Sequence, residues 1–419
     1  MASITTGCCI AGGGPAGMML GYLLARAGVD VVVLEKHADF FRDFRGDTIH
    51  PSTLALMDEL GLLDALLQRP HSEARQLGAR FGDVALPIAD FDRVPGRCKF
   101  IAFMPQWDFL SFIAERARAF SSFALEMEAE ATDLIWEGER VAGVVARTPH
   151  GALVVRAQLV VGADGRHSVL RERAQFVTKN LGAPIDVLWM RVSRRPNDPG
   201  QAFGNFGAGG LLVLIDRGEY FQCGLVIAKD GYDTMRMSGI ETLRAQVAAL
   251  APFLRDRLPE LRDWDDVKLL TVTVDRLRRW YRDGMLCIGD AAHAMSPVGG
   301  VGINLAIQDA VAAANVLARP LRGAGARRHH LRAIERRRQL PTKLTQAMQL
   351  FVQNRLLRPL LATRNIVKPP LLLRVVAAVP ALRRIPARII GVGFRPERPR
   401  AIVVRGCGAI RPSAARLPR

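Results

Sequence analysis

A glycine-rich turn near the start of the chain has the residue types and spacing that bind a dinucleotide. Gly12, Gly14 and Gly17 follow an apolar run in a Gly-x-Gly-x-x-Gly pattern. The first glycine permits a tight turn, the second lets the backbone approach a pyrophosphate, and the third allows close helix–strand packing. A helix predicted from Pro15 to Ala27 would point free N–H groups at the phosphates, and Glu35 could accept hydrogen bonds from an adenosine ribose. The alternative is an ordinary strand–helix–strand unit with a glycine-rich turn.

A second motif, Asp164-Gly165, follows a buried strand pattern and precedes a predicted helix. A carboxylate beside a glycine can approach a phosphate-bearing cofactor or a nicotinamide without steric cost. A simple strand-to-helix connection explains the same residues equally well, so both interpretations stay open here.

A third motif combines an acid with a glycine-rich loop. Gly289-Asp290 ends a short apolar strand, where Asp290 can accept hydrogen bonds from ribitol hydroxyls. The loop that begins at Pro297 leads into a long helix predicted to start near Gly302. Free N–H groups over residues 300–304 suit the electron-rich edge of a flavin.

Alternating segments between the second and third motifs predict an antiparallel sheet. Residues 187–192, 211–215 and 220–227 have strand periodicity, and residues 216–219 have the composition of a hairpin turn. This sheet would cover one face of a flavin and line a substrate pocket. Because it is inserted between two cofactor motifs, the cofactor domain would be discontinuous. Helices are predicted over 51–67 and 109–120, and a strand meander over 125–161.

The three motifs occur in the order found in class A flavoprotein aromatic hydroxylases, and residues 1–320 resemble this p-hydroxybenzoate hydroxylase-like family. The resemblance implies an α/β fold: an FAD-binding Rossmann-like domain of the glutathione-reductase-2 type, an inserted antiparallel-sheet substrate domain and C-terminal helices. Only one full Gly-x-Gly-x-x-Gly unit is present, and the family binds NAD(P)H transiently without a separate domain for it.

The same resemblance assigns roles to individual residues around FAD. The first motif would hold the ADP half, the Arg45–Thr48 segment would run along the flavin, and Gln106 would begin a helix beside the cofactor. The residues expected to bind FAD are Gly12, Gly14, Pro15, Ala16, Gly17, Glu35, Lys36, Arg45, Gly46, Asp47, Thr48, Gln106, Asp164, Gly289, Asp290, Pro297, Gly300, Gly302, Ile303 and Asn304.

The implied activity is hydroxylation of an aromatic or other electron-rich ring, with NAD(P)H and O₂ as co-substrates. In the family, reduced FAD reacts through a C4a-hydroperoxide, so the protein has to hold the ring and exclude water. Neither a catalytic triad nor a metal is predicted. His50 and Tyr220 are candidate bases for a phenol, and a structural role is the alternative for each. The candidate substrate contacts are Trp189, Phe203, Phe206, Tyr220 and Gln222.

We expect four regions in the chain. The predicted boundaries are 1–75, 104–180 and 276–355 for the FAD-binding domain, 76–103 and 181–275 for the substrate domain, 356–394 for basic apolar helices, and 395–419 for a disordered basic tail.

The net charge of +18 is concentrated at the C-terminal end. The last 101 residues hold 24 of the 58 Lys and Arg residues and only two acids, so the rest of the chain is close to neutral. The segment could form helices with a solvated arginine face, or contact an anionic membrane peripherally. Nucleic-acid binding is disfavoured because aromatic residues for base stacking are almost absent there.

The remaining composition predicts a cytoplasmic enzyme without a transmembrane helix or signal peptide, and the membrane contact stays open. The six cysteines lack the spacing of a disulfide framework or a zinc site. Two competing enzymes, a reductase and a halogenase, share the fold, and a non-enzymatic module is a third alternative of a different class. A reductase would not need O₂, a halogenase typically carries a Trp-x-Trp-x-Ile-Pro segment that does not occur here, and a non-enzymatic FAD-binding module would be recruited through the basic tail.

Overall fold

The secondary structure follows the predicted alternation of strands and helices. The computed structural model describes residues 2–41, 48–199, 203–207, 210–363 and 368–400. The strands, in chain order, are β1 Ala2–Ala11, β2 Val31–Leu34, β3 Thr48–Ile49, β4 Ser72–Ala74, β5 Gln76–Phe81, β6 Val84–Asp90, β7 Ile101–Phe103, β8 Phe123–Glu126, β9 Glu130–Glu137, β10 Arg140–Thr148, β11 Gly151–Gly162, β12 Thr178–Asn180, β13 Ile185–Ser193, β14 Phe203–Gly207, β15 Gly210–Asp216, β16 Tyr220–Ala228, β17 Lys268–Leu270, β18 Asp275–Leu277, β19 Tyr281–Arg282 and β20 Met285–Cys287. The α-helices are α1 Pro15–Arg26, α2 Pro51–Glu59, α3 Leu63–Leu66, α4 Gln106–Ala117, α5 Val169–Arg173, α6 Tyr232–Met237, α7 Ile240–Leu250, α8 Gly302–Leu321, α9 Arg328–Val352, α10 Arg358–Ala362, α11 Leu371–Ala378 and α12 Arg384–Gly391.

The first sheet brings the three cofactor motifs to one edge. β1 pairs in parallel with β2 on one side and with β11 on the other, and β8 and β20 extend this parallel core. All four residues of β2 are buried, as expected for a strand covered on both faces. The turns after β1, β11 and β20 therefore meet at the carboxyl ends of parallel strands, where open α/β sheets bind ligands.

The second sheet contains the segments that were predicted between the motifs. Its order is β17-β13-β16-β15-β14-β5-β6, and the predicted hairpin joins β15 to β16 through Gly218, whose φ is 84°. One face packs on α7 through a cluster that includes Leu188, Cys223 and Val247. The three predicted segments pair antiparallel, β13 with β16 and β15 with β16. β14 runs parallel to β5, because β5 and β6 come from the earlier segment before α4.

Two boundary predictions need correction. The helix predicted over 51–67 is two helices, α2 and α3, because Gly61 between them adopts a left-handed conformation with φ of 72°. The tail is not disordered from residue 395. Residues 395–400 lie against α8 and α9, where Glu397 is buried and pairs with Arg337 at 2.5 Å. The charge count includes Glu397 but does not show that folding buries it against Arg337. The remainder of the tail, 401–419, lies outside the described residues.

The long helix α8 is the apolar core of the first domain. Within the described ranges, the stretch Val298–Leu321 is the one helical segment long and apolar enough to cross a membrane, and 78% of its most apolar window is buried inside the protein. The helix packs against α1 and α9. Core packing therefore accounts for its composition.

Candidate active site

The glycines of the first turn have different packing environments. Gly12 has φ of 106°, and a Cβ there would lie 2.4 Å from the Ala163 carbonyl oxygen. A Cβ at Gly17 would lie 1.9 Å from the Gly12 oxygen. Both positions therefore require glycine for packing. Gly14, the N-cap of α1, faces open space, with no heavy atom within 4 Å of where its Cβ would be.

The acid after β2 lies directly beside this turn. The buried Glu35 carboxylate accepts hydrogen bonds from the backbone N–H of Gly13, at 2.9 Å, and of His37, at 3.1 Å. These bonds hold it next to the start of α1, while the following Lys36 is exposed. Pro15 and Ala16 form the first turn of that helix.

The second and third motifs are joined by an ion pair. The Arg166 guanidinium lies 3.6 Å from the Asp290 carboxylate, and both side chains are partly exposed. Burial raises the pKa of Asp164, and hydrogen bonds from Ser168 and the Leu170 N–H oppose that rise. Asp164 Oδ2 accepts from Leu170 at 3.2 Å, whereas its buried Oδ1 has no hydrogen-bond partner among the described residues.

A buried carboxylate on α8 fixes the Gly289-Asp290 turn. Asp309 accepts a hydrogen bond from the Gly289 N–H at 3.1 Å, from His293 Nε2 at 2.5 Å and from Arg338 Nε at 2.8 Å. Burial works to raise the pKa of Asp309, but His293 and Arg338 outweigh it, so the pKa lies below its ordinary value. Glu397 lies 3.9 Å from the same arginine and extends the network to the C-terminal segment.

The loop before α8 is tied to the segment that begins at Thr48. Thr48 Oγ1 donates to the Gly300 carbonyl at 2.9 Å, and a Cβ at Gly300, where φ is 62°, would lie 2.6 Å from that hydroxyl. Asn304 donates to the Thr48 carbonyl at 3.1 Å and accepts from the His50 N–H at 2.9 Å. It also accepts from Thr53 Oγ1 at 2.7 Å. The Asn304 side chain is therefore committed to protein contacts, and its main-chain N–H remains in the first turn of α8.

Three buried glutamines hold the other side of this loop. On α9, Gln346 donates to the Asp275 carbonyl at 2.7 Å, and Gln349 donates to the Ser296 and Val298 carbonyls at 2.8 and 2.9 Å. Gln353, in the π-helical turn that follows, donates to Ser296 Oγ at 2.7 Å. These glutamines satisfy the polar groups of the backbone around Pro297 and thereby fix the loop. Further along the chain, Ile303 packs on the main core.

Trp189, Phe206, Tyr220 and Gln222, four of the candidate substrate residues, share one face of the second sheet. Trp189, Phe206 and Gln222 alternate with residues of the α7 cluster, so they face the opposite side. Trp189 lies over Gly224, where a Cβ would be 2.8 Å from the indole, and it contacts two apolar clusters at once. Phe206 stacks on Phe81 with ring centroids 4.6 Å apart.

The polar candidates on this face have protein partners. Gln222 accepts two hydrogen bonds from Arg217, at 3.0 and 3.1 Å. The Tyr220 ring packs under the Arg191 guanidinium at 5.2 Å. The backbone of Phe203 lies in β14, and its side chain lies outside the described part of the structure.

The candidate base His50 is buried beneath α12. Its Nδ1 lies 2.7 Å from the Ile390 carbonyl oxygen, and burial lowers its pKa from 6.5 to about 4. The neutral ring therefore donates from Nδ1, and the residue also serves as the N-cap of α2. This environment favours the structural alternative for His50.

Gln106 and residues 45–47 were both expected to lie beside the cofactor. Gln106 begins α4, as the sequence predicted. Arg45, Gly46 and Asp47 lie outside the described residues, so their expected role beside the flavin stays a prediction.

The site residues fit FAD. The open space at Gly14, beside the free N–H groups of α1, can accept a pyrophosphate. The unpartnered Asp164 oxygen lies where the turns after β1 and β11 meet, as the approach of Gly12 to Ala163 shows. A cofactor hydroxyl or a water would satisfy that acceptor. Elsewhere among the described residues, no group of three or more His, Cys, Asp or Glu side chains could hold a metal ion.

Comparison with known proteins agrees with this geometry. The family model described as FAD binding domain matches residues 5–348. The chain belongs to this family. It is an FAD-dependent monooxygenase, an oxidoreductase that uses NAD(P)H and O₂ to hydroxylate an aromatic or other electron-rich ring.

Individual relatives of this monooxygenase differ in how much of their length is matched. The chain is 34% identical over 354 residues to 6-methylpretetramide 4-monooxygenase of Streptomyces rimosus, covering 84% of each chain. It is 31% identical to dialkyldecalin synthase of Streptomyces rugosporus, with 72% of this chain and 63% of the relative covered. Among solved structures, PqsL of Pseudomonas aeruginosa with 2-aminobenzoylacetate has a TM-score of 0.74 at 22% identity, covering 85% of this chain and 98% of PqsL.

Sequence reasoning missed the contacts that fix the motifs. Asp309 is the one acid in the largely apolar helix α8, and a lone acid in such a helix signals a buried partner. Nothing in the sequence identifies that partner, because Arg338 lies within a run of three arginines. The glutamine row resembles ordinary helix-surface residues until α9 is placed in the fold.

We expect Asp309→Asn to destabilise the protein by about 3–5 kcal/mol, because it removes the nearest carboxylate from the fully buried Arg338 guanidinium and leaves only Glu397, at 3.9 Å. Urea unfolding measures the change, and FAD retention during gel filtration should fall with it. The control is Asp64→Asn, which breaks an exposed ion pair with Arg97 of 2.6 Å and should leave the free energy of unfolding nearly unchanged, because solvent screens such a pair. Equal effects of the two substitutions would show that the buried network does not hold the site.

Burial of His50 predicts a pH dependence of stability. Because its folded-state pKa of about 4 lies below the unfolded value of 6.5, the unfolded state binds more protons between these values. Stability should therefore fall as the pH drops through this window, by about 2 kcal/mol between pH 7 and pH 5. Between pH 7 and pH 5, the free energy of unfolding measured by urea titration should fall by about 2 kcal/mol more in the wild type than in His50→Gln. The exposed His150→Gln is the control, and a His50→Gln slope equal to that of the wild type would contradict the prediction.

Proposed function

We propose that this monooxygenase hydroxylates a polycyclic aromatic compound related to 6-methylpretetramide. The observation that carries the proposal is the apolar face of the second sheet. Trp189 and Val213 lie between two apolar clusters, and one of these clusters contains Phe206 and Val298 of the loop before α8. A flat fused-ring compound would bury apolar area against this face. The 34% identity to a monooxygenase named for such a compound supports the same substrate class.

The polar groups on this face favour rings over small acids. A single-ring benzoate requires a cation to bind its carboxylate, and both arginines at this face have protein partners: Arg217 donates twice to Gln222, and Arg191 packs over the Tyr220 ring. The favourable free energy of substrate binding must then come mainly from burial of apolar area, and this area is larger for several fused rings than for one.

The residues of the chain hold the cofactor and keep water out. FAD, when bound, supplies the activation of O₂ with electrons from NAD(P)H. The turn at Gly14 and the acid Glu35 would hold its ADP half, and Asp290 its ribitol. The loop fixed by Thr48 and Gln349 would lie beside the flavin ring. The apolar face opposite this loop orients the substrate and excludes water.

Peripheral contact of segment 356–394 with a membrane belongs to the same proposal. A polycyclic aromatic substrate is driven out of water by its apolar surface and accumulates in lipid. An enzyme that meets a lipid surface would find its substrate concentrated there.

The proposed substrate class is tested with the FAD-loaded enzyme. NAD(P)H oxidation and O₂ uptake should rise at least about tenfold with fused-ring polyketide phenols, and not with p-hydroxybenzoate. Equal stimulation by the single-ring acid would contradict the substrate class. Oxidation of NAD(P)H with reduction of the added compound and no O₂ uptake would instead identify a reductase.

Trp189→Ala should lower kcat/KM for the polycyclic substrate by about tenfold, because the variant loses the largest apolar surface on this face. Trp189→Phe should restore most of the activity. Trp136→Ala is the control, since Trp136 is 38% exposed on β9 and packs against Arg282 instead. An unchanged kcat/KM in Trp189→Ala would show that substrate does not bind on this face.

A further inference from the structure

The helices α11 and α12 have one face in the protein and another in solvent. On the inner side, Ala387 is buried and Ile390 packs in the cluster that contains Phe91 and Trp189. A Cβ at Gly391 would lie 3.0 Å from the Phe91 ring. The inner face of α12 therefore forms part of the cover of the candidate substrate face.

The outer face exposes large apolar side chains that solvent-facing helices rarely carry. Leu371 is 74% exposed and Leu372 is 67% exposed. Val375 on α11 and Val379, the C-cap of that helix, are each 43% exposed, and Ile385 on α12 is 52% exposed. We call these five residues the apolar patch. Contiguous exposed apolar residues of this kind mark an interaction surface.

The charge around the apolar patch has a single sign. Lys368, Arg374, Arg384 and Arg388 are exposed, and none of the four has an ion-pair partner within the described ranges. Residues 368–394 contain no Asp or Glu at all. The surface is therefore both apolar and cationic.

We propose that the apolar patch and its four basic residues bind the surface of an anionic lipid membrane. Apolar side chains enter the boundary between headgroups and acyl chains, while lysine and arginine contact the anionic headgroups. A second copy of the chain is a poorer partner, because pairing two such faces would bring cations together without any acid between them.

Membrane binding would place the enzyme where a lipophilic substrate accumulates, and this proposal therefore rests on the proposed function. Because the inner face of α12 covers the candidate substrate face, a membrane on the outer face would lie close to that face. Binding to lipid can be measured without turnover, so failure of the two proposals can be told apart.

The test is co-sedimentation of the full-length FAD-loaded protein with vesicles. Vesicles of phosphatidylcholine with phosphatidylglycerol should bind the protein, and pure phosphatidylcholine should bind it much less. Leu371→Ser/Leu372→Ser should reduce binding by about tenfold or more, because apolar area and lipid charge both contribute to it. Arg374→Glu/Arg388→Glu should do the same and should remove the salt sensitivity.

Met237→Ser is the matched control, since Met237 is 82% exposed on α6 and lies outside the apolar patch. It should bind vesicles like the wild type. Two results would overturn the proposal: binding that the double leucine variant retains, or no binding to anionic vesicles. Sedimentation velocity adds a third. A dimer that Leu371→Ser/Leu372→Ser converts to a monomer would assign the apolar patch to self-association instead.

Discussion

Asp309, a fully buried carboxylate, connects the parts of the chain that meet at the cofactor site. It lies on α8 and binds the turn after β20 through the Gly289 N–H, the following loop through His293, and α9 through Arg338. Removing such charges from water is costly, so each requires its partner in place. The position of Asp290, the entry to α8 and the packing of α9 are consequently fixed together.

Residues near the C-terminal end pack into the apolar clusters beside the second sheet. Leu357 and Leu360 join the cluster that holds Val298, and Ile390 joins the cluster on the other side of Trp189. The apolar face of the second sheet is thus covered by segments from the far end of the chain. A monooxygenase that must keep water from its reaction needs this cover, and so the basic C-terminal region has a packing role besides its charge.

Several elements could be predicted because their signals are local. The Gly-x-Gly-x-x-Gly turn, the strands over 185–193 and 220–228 and the helix from Gly302 lie close to where periodicity and turn residues place them. A distant contact decides the outcome at the C-terminal end, where residues 395–400 are ordered because Glu397 reaches Arg337. The parallel pairing of β14 with β5 likewise joins segments that lie far apart in the chain.

The sequence by itself determined the family, the order of the cofactor motifs and the glycines that those motifs require. These follow from backbone geometry within a few residues, which the chain specifies locally. Only the tertiary structure decided which partners hold the motifs. The contact from Asn304 to His50 spans 254 positions and that from Asp309 to Arg338 spans 29. A polar side chain in a sequence does not show whether folding will bury it, and burial is what gives Asp309, His50 and the glutamines of α9 their structural roles.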